Sequence, residues 1–203
     1  MNAKPSTDLV TAGSPSFMAR TAGSFYLLCI VTNLIELSRW GGHWLTVSSS
    51  LISTASFITV TVLFYYLFKP VSARLSLVAM FFSFAGCTVR FLGPLHLVPF
   101  HVHSPVSAFF GFYCLLIGYL ILKSTFLPHA LGVLMAIAGL GWLTFVSLTF
   151  VSRQLANQFS PYQYIAGGIG EGLLTVWLLA VGVNAVRWKE QAGGHGAMPI
   201  VGK

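Results

Sequence analysis

The stretch GGIGEGLLTVWLLAVGVNAVRW, residues 167–188, decides what kind of protein this is. It sets one carboxylate, Glu171, among glycines at the head of a long apolar run that closes on Arg187 and Trp188. Read as a phosphate-binding loop, the glycines need a strand before them and a lysine after them, and neither is present. Read as a membrane helix, small residues let a second helix approach closely. On this reading Gly168, Gly170 and Gly172 bring a neighbour against Glu171 and exclude lipid from it. Gly111 and Gly118, and Gly132, Gly139 and Gly141, are expected to pack other helices in the same way.

The composition agrees with the second reading. Of 203 residues, 56% are hydrophobic and 7% charged, and the mean hydropathy is +0.81. A soluble domain carries about 25% charged residues, so no water-facing surface can be built from this chain. The net charge is +7, but the basic residues stand singly at the ends of apolar runs. That pattern excludes a nucleic-acid-binding patch and makes the lipid bilayer the first partner. Cys29, Cys87 and Cys114 each fall inside an apolar run, as small buried residues do.

A helix needs about 20 apolar residues to cross the hydrocarbon core. Six runs qualify: 20–38, 46–68, 74–98, 105–123, 129–151 and 162–187. They are too long, and too little alternating, for barrel strands. The expected fold is therefore all-α, an integral membrane six-helix bundle (residues 20–188). Short separators make neighbours antiparallel. Residues 1–19 and 189–203 read as flexible tails, and the first of them lacks the basic head and apolar core of a signal peptide. Lys4, Arg20, Lys69, Arg74, Lys123, Arg187, Lys189 and Lys203 fall on one side, against Arg39 and Arg153 on the other. This bias predicts cytoplasmic N- and C-termini in a bacterial plasma membrane. Trp40, Trp44, Tyr162 and Tyr164 then belong to the outer interface and Trp188 to the inner one.

Three charges lie inside spans. Glu36 is 16 residues from Arg20, Arg90 is 16 from Arg74, and Glu171 is 16 from Arg187. At 1.5 Å per residue each is about 24 Å from its basic residue, which predicts one shared layer near the outer boundary. A charge in hydrocarbon costs about 2.5–3.5 kcal/mol on insertion scales, so these groups need partners or a watery cavity. The planar fork of Arg90 can hold Glu36 or Glu171 with two hydrogen bonds. One arginine facing two carboxylates leaves a surplus negative charge: either one carboxyl is protonated, or the site takes a cation or a donor-rich ligand. Asn33, almost one turn below Glu36, lines the same cavity or hydrogen-bonds a neighbouring helix. The layer itself is either a ligand site or a structural pin.

His96, His101 and His103 cluster in RFLGPLHLVPFHVHSP, where Pro94, Pro99 and Pro105 break the helix and make the segment a candidate cap. They are candidate ligands for a metal ion, although the spacing matches no standard zinc pattern. Solvated loop histidines are the plain alternative. Any acid–base or metal chemistry must use Glu36, Glu171, these histidines, or hydroxyls such as Ser53, Ser107 and Thr144.

The stretches FFGFYCLLIGYLILKSTFLPHALGVLMAIAGLGWLTF (109–145), GEGLLTVWLLAVGVNAVRW (170–188) and MARTAGSFYLLCIV (18–31) resemble the DUF4386 family of bacterial multipass membrane proteins. The resemblance implies a six-helix fold and supplies no activity. Three functions stay open. The first is an outward-facing polar pocket that binds or conducts a small polar solute, a proton or a lipid headgroup. The second is a membrane-embedded enzyme using a buried Glu with a metal at the histidines. The third is an accessory subunit of a homo-oligomer or larger membrane complex.

Overall fold

A computed structural model describes residues 14–38, 42–92 and 103–194. These residues form α1 (Pro15–Ser38), α2 (His43–Phe68), α3 (Ala73–Leu92), α4 (His103–Lys123), α5 (His129–Val151), α6 (Arg153–Ala180) and α7 (Ala185–Gly194). Helices α1 to α5 are each long and apolar enough to cross a membrane, and α6 counted together with its bent continuation α7 is the candidate for a sixth span. Each helix from α1 to α6 packs on the next in sequence, and α1 packs on α6, so the six close into an antiparallel ring.

The core is largely apolar, with Phe64, Leu67, Ile117 and Leu174 buried, but the outer surface is apolar as well. Phe81, Leu140, Phe150, Ile165 and Val176 face outward, while Ser49, Ser50, Ser53, Thr54, Thr61, Gln163 and Thr175 are buried. An apolar rim is what lipid requires, because a polar group facing hydrocarbon finds no partner there. Several interior hydroxyls satisfy themselves on their own helix. Thr32 Oγ1 donates to the Leu28 carbonyl, Thr54 to Ser50 and Thr61 to Phe57, at 2.8 Å in each case.

Helices α4 and α5 touch through bare backbone. A Cβ at Gly132 would stand 2.8 Å from the Gly118 carbonyl oxygen, and one at Gly118 would stand 2.8 Å from that of Gly132. Gly111 and Gly139 repeat the arrangement two turns along. Against α5, Gly170 does the packing, with the Leu134 carbonyl oxygen 2.9 Å from its would-be Cβ. Gly168 and Gly172 have nothing within 4 Å, contrary to the expectation that they hold a neighbour against Glu171. The glycines on the packed face are Gly167 and Gly170, one helical turn apart.

The last span also differs from its expected bounds. Helix α6 begins at Arg153, because the Ser152 hydroxyl caps it by accepting from the Leu155 amide. Most of the segment SRQLANQFSP is therefore helix and not a loop. At its other end α6 stops at Ala180, where Gly182 takes a left-handed φ of 75°, and the chain bends by 100° into α7. Asn184 starts α7 by accepting from the amides of Val186 and Arg187, both at 3.2 Å. Helix α7 is tied across the basic end of the ring. The Trp188 indole N–H donates to the Leu67 carbonyl at 2.8 Å, and Gln191 Oε1 accepts from the Thr125 amide at 3.1 Å. Helix thus extends into both segments read as tails, from Pro15 at one end and to Gly194 at the other.

Candidate functional site

The candidate polar groups of the interior are organised along one face of α1. Tyr26, Cys29, Asn33 and Glu36 follow one another at spacings of three, four and three residues, which keeps all four toward the ring centre. Glu36 lies at the end of the bundle opposite α7. There Arg90 Nη2 donates to Glu36 Oε2 at 2.7 Å and to Asn33 Oδ1 at 2.6 Å. One nitrogen thus serves two acceptors, in place of the expected two-bond fork on a carboxylate. Both charged side chains remain about a third exposed, at 31% for Arg90 and 34% for Glu36. The network continues inward. Ser53 Oγ donates to Asn33 Oδ1 at 3.2 Å and lies 3.3 Å from Cys29 Sγ. Cys29, Cys87 and Cys114 are all buried free thiols.

Glu171 is not in that layer. Its Oε2 accepts from the Tyr26 hydroxyl at 3.3 Å, and Tyr26 is ten residues before Glu36 on α1, about 15 Å along the axis. The count from Arg187 fails because α6 does not reach Arg187. Measured to its true end at Ala180, Glu171 is nine residues in, about 14 Å. The structure therefore brings Glu36, Asn33 and Arg90 together and leaves Glu171 deeper, on its own. Among the described residues no cation comes within ion-pair distance of it.

Residues that sequence reasoning did not single out surround Glu171. Tyr26, Phe57, Tyr113, Phe110 and Trp142 form a continuous chain of ring contacts across α1, α2, α4 and α5, with centroids 5.3–6.2 Å apart. The Trp142 indole nitrogen and the Glu171 carboxylate both lie beside Gly167, each 3.3 Å from where a Cβ would stand. Gln163, Gly167 and Glu171 share one α6 face at four-residue spacing. Gln163 is fully buried, with neither amide atom partnered by the protein. The spacings on α1 and α6 were the available signal for these neighbours.

Of the candidate metal ligands, His96 and His101 lie outside the described residues, and His103 opens α4. Trp44, Tyr162 and Tyr164 are exposed at the Glu36 end, and Trp40 lies outside the described residues.

An apolar rim and six antiparallel helices, five of them spans on their own, define a multipass α-helical membrane protein. Residues 100–182 match the profile of a domain of unknown function, DUF4386. A similar protein in Archaeoglobus fulgidus, described as an uncharacterized protein, is 31% identical over 129 residues, covering 62% of this chain and 76% of the relative. The chain belongs to the DUF4386 family. That relative is archaeal, so the likeness does not place the chain in bacteria. No solved structure matches the chain.

Proposed function

We propose that this plasma-membrane protein binds and releases a proton at Glu171, reached from the outer end past Glu36, Asn33 and Arg90. One observation carries the reading. Arg90 neutralises Glu36 at 2.7 Å, whereas Glu171 meets a single neutral hydroxyl at 3.3 Å. An ionised carboxylate without a cation is costly at that depth, and a proton is the one ligand that needs no room among packed rings. Cys29, Ser53 and Asn33 supply a line of polar groups between the two carboxylates.

The Glu36–Arg90 pair itself fits the pin reading, since its 2.7 Å contact fastens α1 to α3. The candidate residues thus divide into a fastening at the mouth and a binding group within. The test is proton flux into liposomes carrying a trapped pH-sensitive dye after an external acid step. Liposomes with the wild-type protein should acidify faster than empty ones, and Glu171→Gln should remove the difference. Equal rates for wild type and Glu171→Gln would overturn the reading.

A further inference from the structure

We infer that the cleft between α3, α4 and α7, at the basic end of the bundle, binds the phosphate of an anionic phospholipid. The cleft measures about 350 Å³, and its walls include Val71, Ser72, Leu75, Tyr119, Lys123 and Gln191. That volume falls within the range of small-ligand sites, about 300–1,000 Å³. Ala73 opens the α3 span and Lys123 closes the α4 span, so the cleft lies where both helices leave the hydrocarbon. Lipid phosphates surround the bundle at that level.

The polar groups of the cleft suit an anion. Lys123 Nζ stands 5.8 Å from the centre of the Tyr119 ring, a cation–π distance, and no carboxylate meets it among the described residues. The Ser72 hydroxyl accepts from the Leu75 amide at 3.4 Å and still has a proton to donate. Gln191 holds α7 in place as the third wall. Its Oε1 accepts from the Thr125 amide at 3.1 Å and the Thr125 hydroxyl at 3.2 Å, and its Nε2 donates to the Lys123 carbonyl at 3.2 Å. A neighbouring cleft of about 380 Å³, lined by Thr125, Arg187, Glu190 and Gln191, suits an anion less well. There Arg187 already donates to the Thr125 carbonyl at 3.4 Å, and the Glu190 carboxylate repels negative charge.

The apolar walls decide the source of the phosphate. Val71, Leu75 and the Tyr119 ring offer a surface to a glycerol and the first methylenes of an acyl chain, which a free phosphate would leave bare. Tyr119, one turn inside the α4 span, is 47% exposed, so its ring meets lipid there. Lys69, Arg74, Arg187 and Lys189 share this end of the bundle with the single carboxylate of Glu190 among the described residues. Each basic group near a membrane surface adds to the attraction for anionic lipid. The cleft is at the opposite end from Glu36 and makes no use of Glu171, so it stands or falls apart from the proposed proton binding.

The test is native mass spectrometry of the full-length protein in a neutral detergent, with equal amounts of phosphatidylglycerol and phosphatidylcholine of matched chains. Wild type should retain phosphatidylglycerol in preference to phosphatidylcholine. Lys123→Gln should lower that preference about fivefold or more. Leu75→Trp narrows the cleft while keeping every charge, and should lower it as well. Lys189→Gln removes a charge from α7 outside the cleft, and should leave the preference within about twofold. Equal retention of the two lipids by wild type overturns the site. So does an equal loss in Lys189→Gln and Lys123→Gln, which would mean that diffuse charge attracts the lipid. Displacement of the lipid by millimolar inorganic phosphate would assign the cleft to free phosphate and overturn the phospholipid.

Discussion

Arg90 divides one nitrogen between Glu36 and Asn33, and this division sets what each substitution costs. Glu36→Gln keeps an acceptor and should destabilise by about 1 kcal/mol. Arg90→Met leaves the Glu36 carboxylate without its donor, and Asn33 Oδ1 with Ser53 alone, and should cost about 2–3 kcal/mol, the partial exposure of both side chains holding the figure below that of a fully buried pair. The double variant should recover part of that loss, with a coupling of about 1 kcal/mol in denaturant unfolding from micelles. Arg90→Met combined with Glu171→Gln should instead add within about 0.5 kcal/mol, because Glu171 contacts Tyr26 and not Arg90. Strong coupling in that second cycle would return Glu171 to the charge layer. Residue by residue, the meeting of Arg90 with one of the two carboxylates was legible in the sequence, since helical spacing and the cost of charge in lipid both point to it, but which carboxylate was not. The isolation of Glu171 was not, because it depends on where a helix stops.

Helix ends and helix contacts carry the next set of consequences. Five spans follow from length and apolarity alone, and α6 meets the same measure only when taken with α7, which is why the first five runs stand out in the sequence itself. The boundary of the last span was hidden because apolar residues continue past Ala180 through Val181 and Val183, and only the left-handed Gly182 reveals the bend. Gly182→Ala should cost about 1–2 kcal/mol from backbone strain and loosen α7. Loss of the Trp188 contact with Leu67 would register as a red-shifted tryptophan emission. The glycines offer a sharper contrast. At Gly132 an added Cβ meets the backbone oxygen of Gly118 at 2.8 Å, an atom that cannot move without the whole helix. Gly132→Ala should therefore destabilise by about 1–3 kcal/mol in micelle unfolding. Gly168→Ala meets nothing, and should be neutral or stabilise by up to about 1 kcal/mol through helix propensity. Sequence pattern marked both glycines as packing residues, because a small side chain looks the same whether it faces a helix or lipid.

At the scale of the whole molecule, the ring places Lys69, Arg74, Lys123, Arg187 and Lys189 at one end and Arg153 at the other. Geometry fixes that these ends are opposite; charge bias says which faces the cytoplasm. The two are separable by experiment because the three native thiols are buried and should stay silent to a membrane-impermeant maleimide. Single cysteines placed at Lys123, in the last turn of α4, and at Arg153, in the first turn of α6, report opposite ends. In intact cells Arg153→Cys should label fully and Lys123→Cys should not, and permeabilisation should expose the second. The reverse pattern would invert the bundle. It would leave the ion pair, the glycine contacts and the surroundings of Glu171 unchanged, but it would turn the Glu36 mouth toward the cytoplasm. The proposed proton would then enter from the cytoplasm, and the liposome assay would respond to an acid step on that face. The direction of the function therefore hangs on a handful of lysines and arginines that touch none of the residues carrying it.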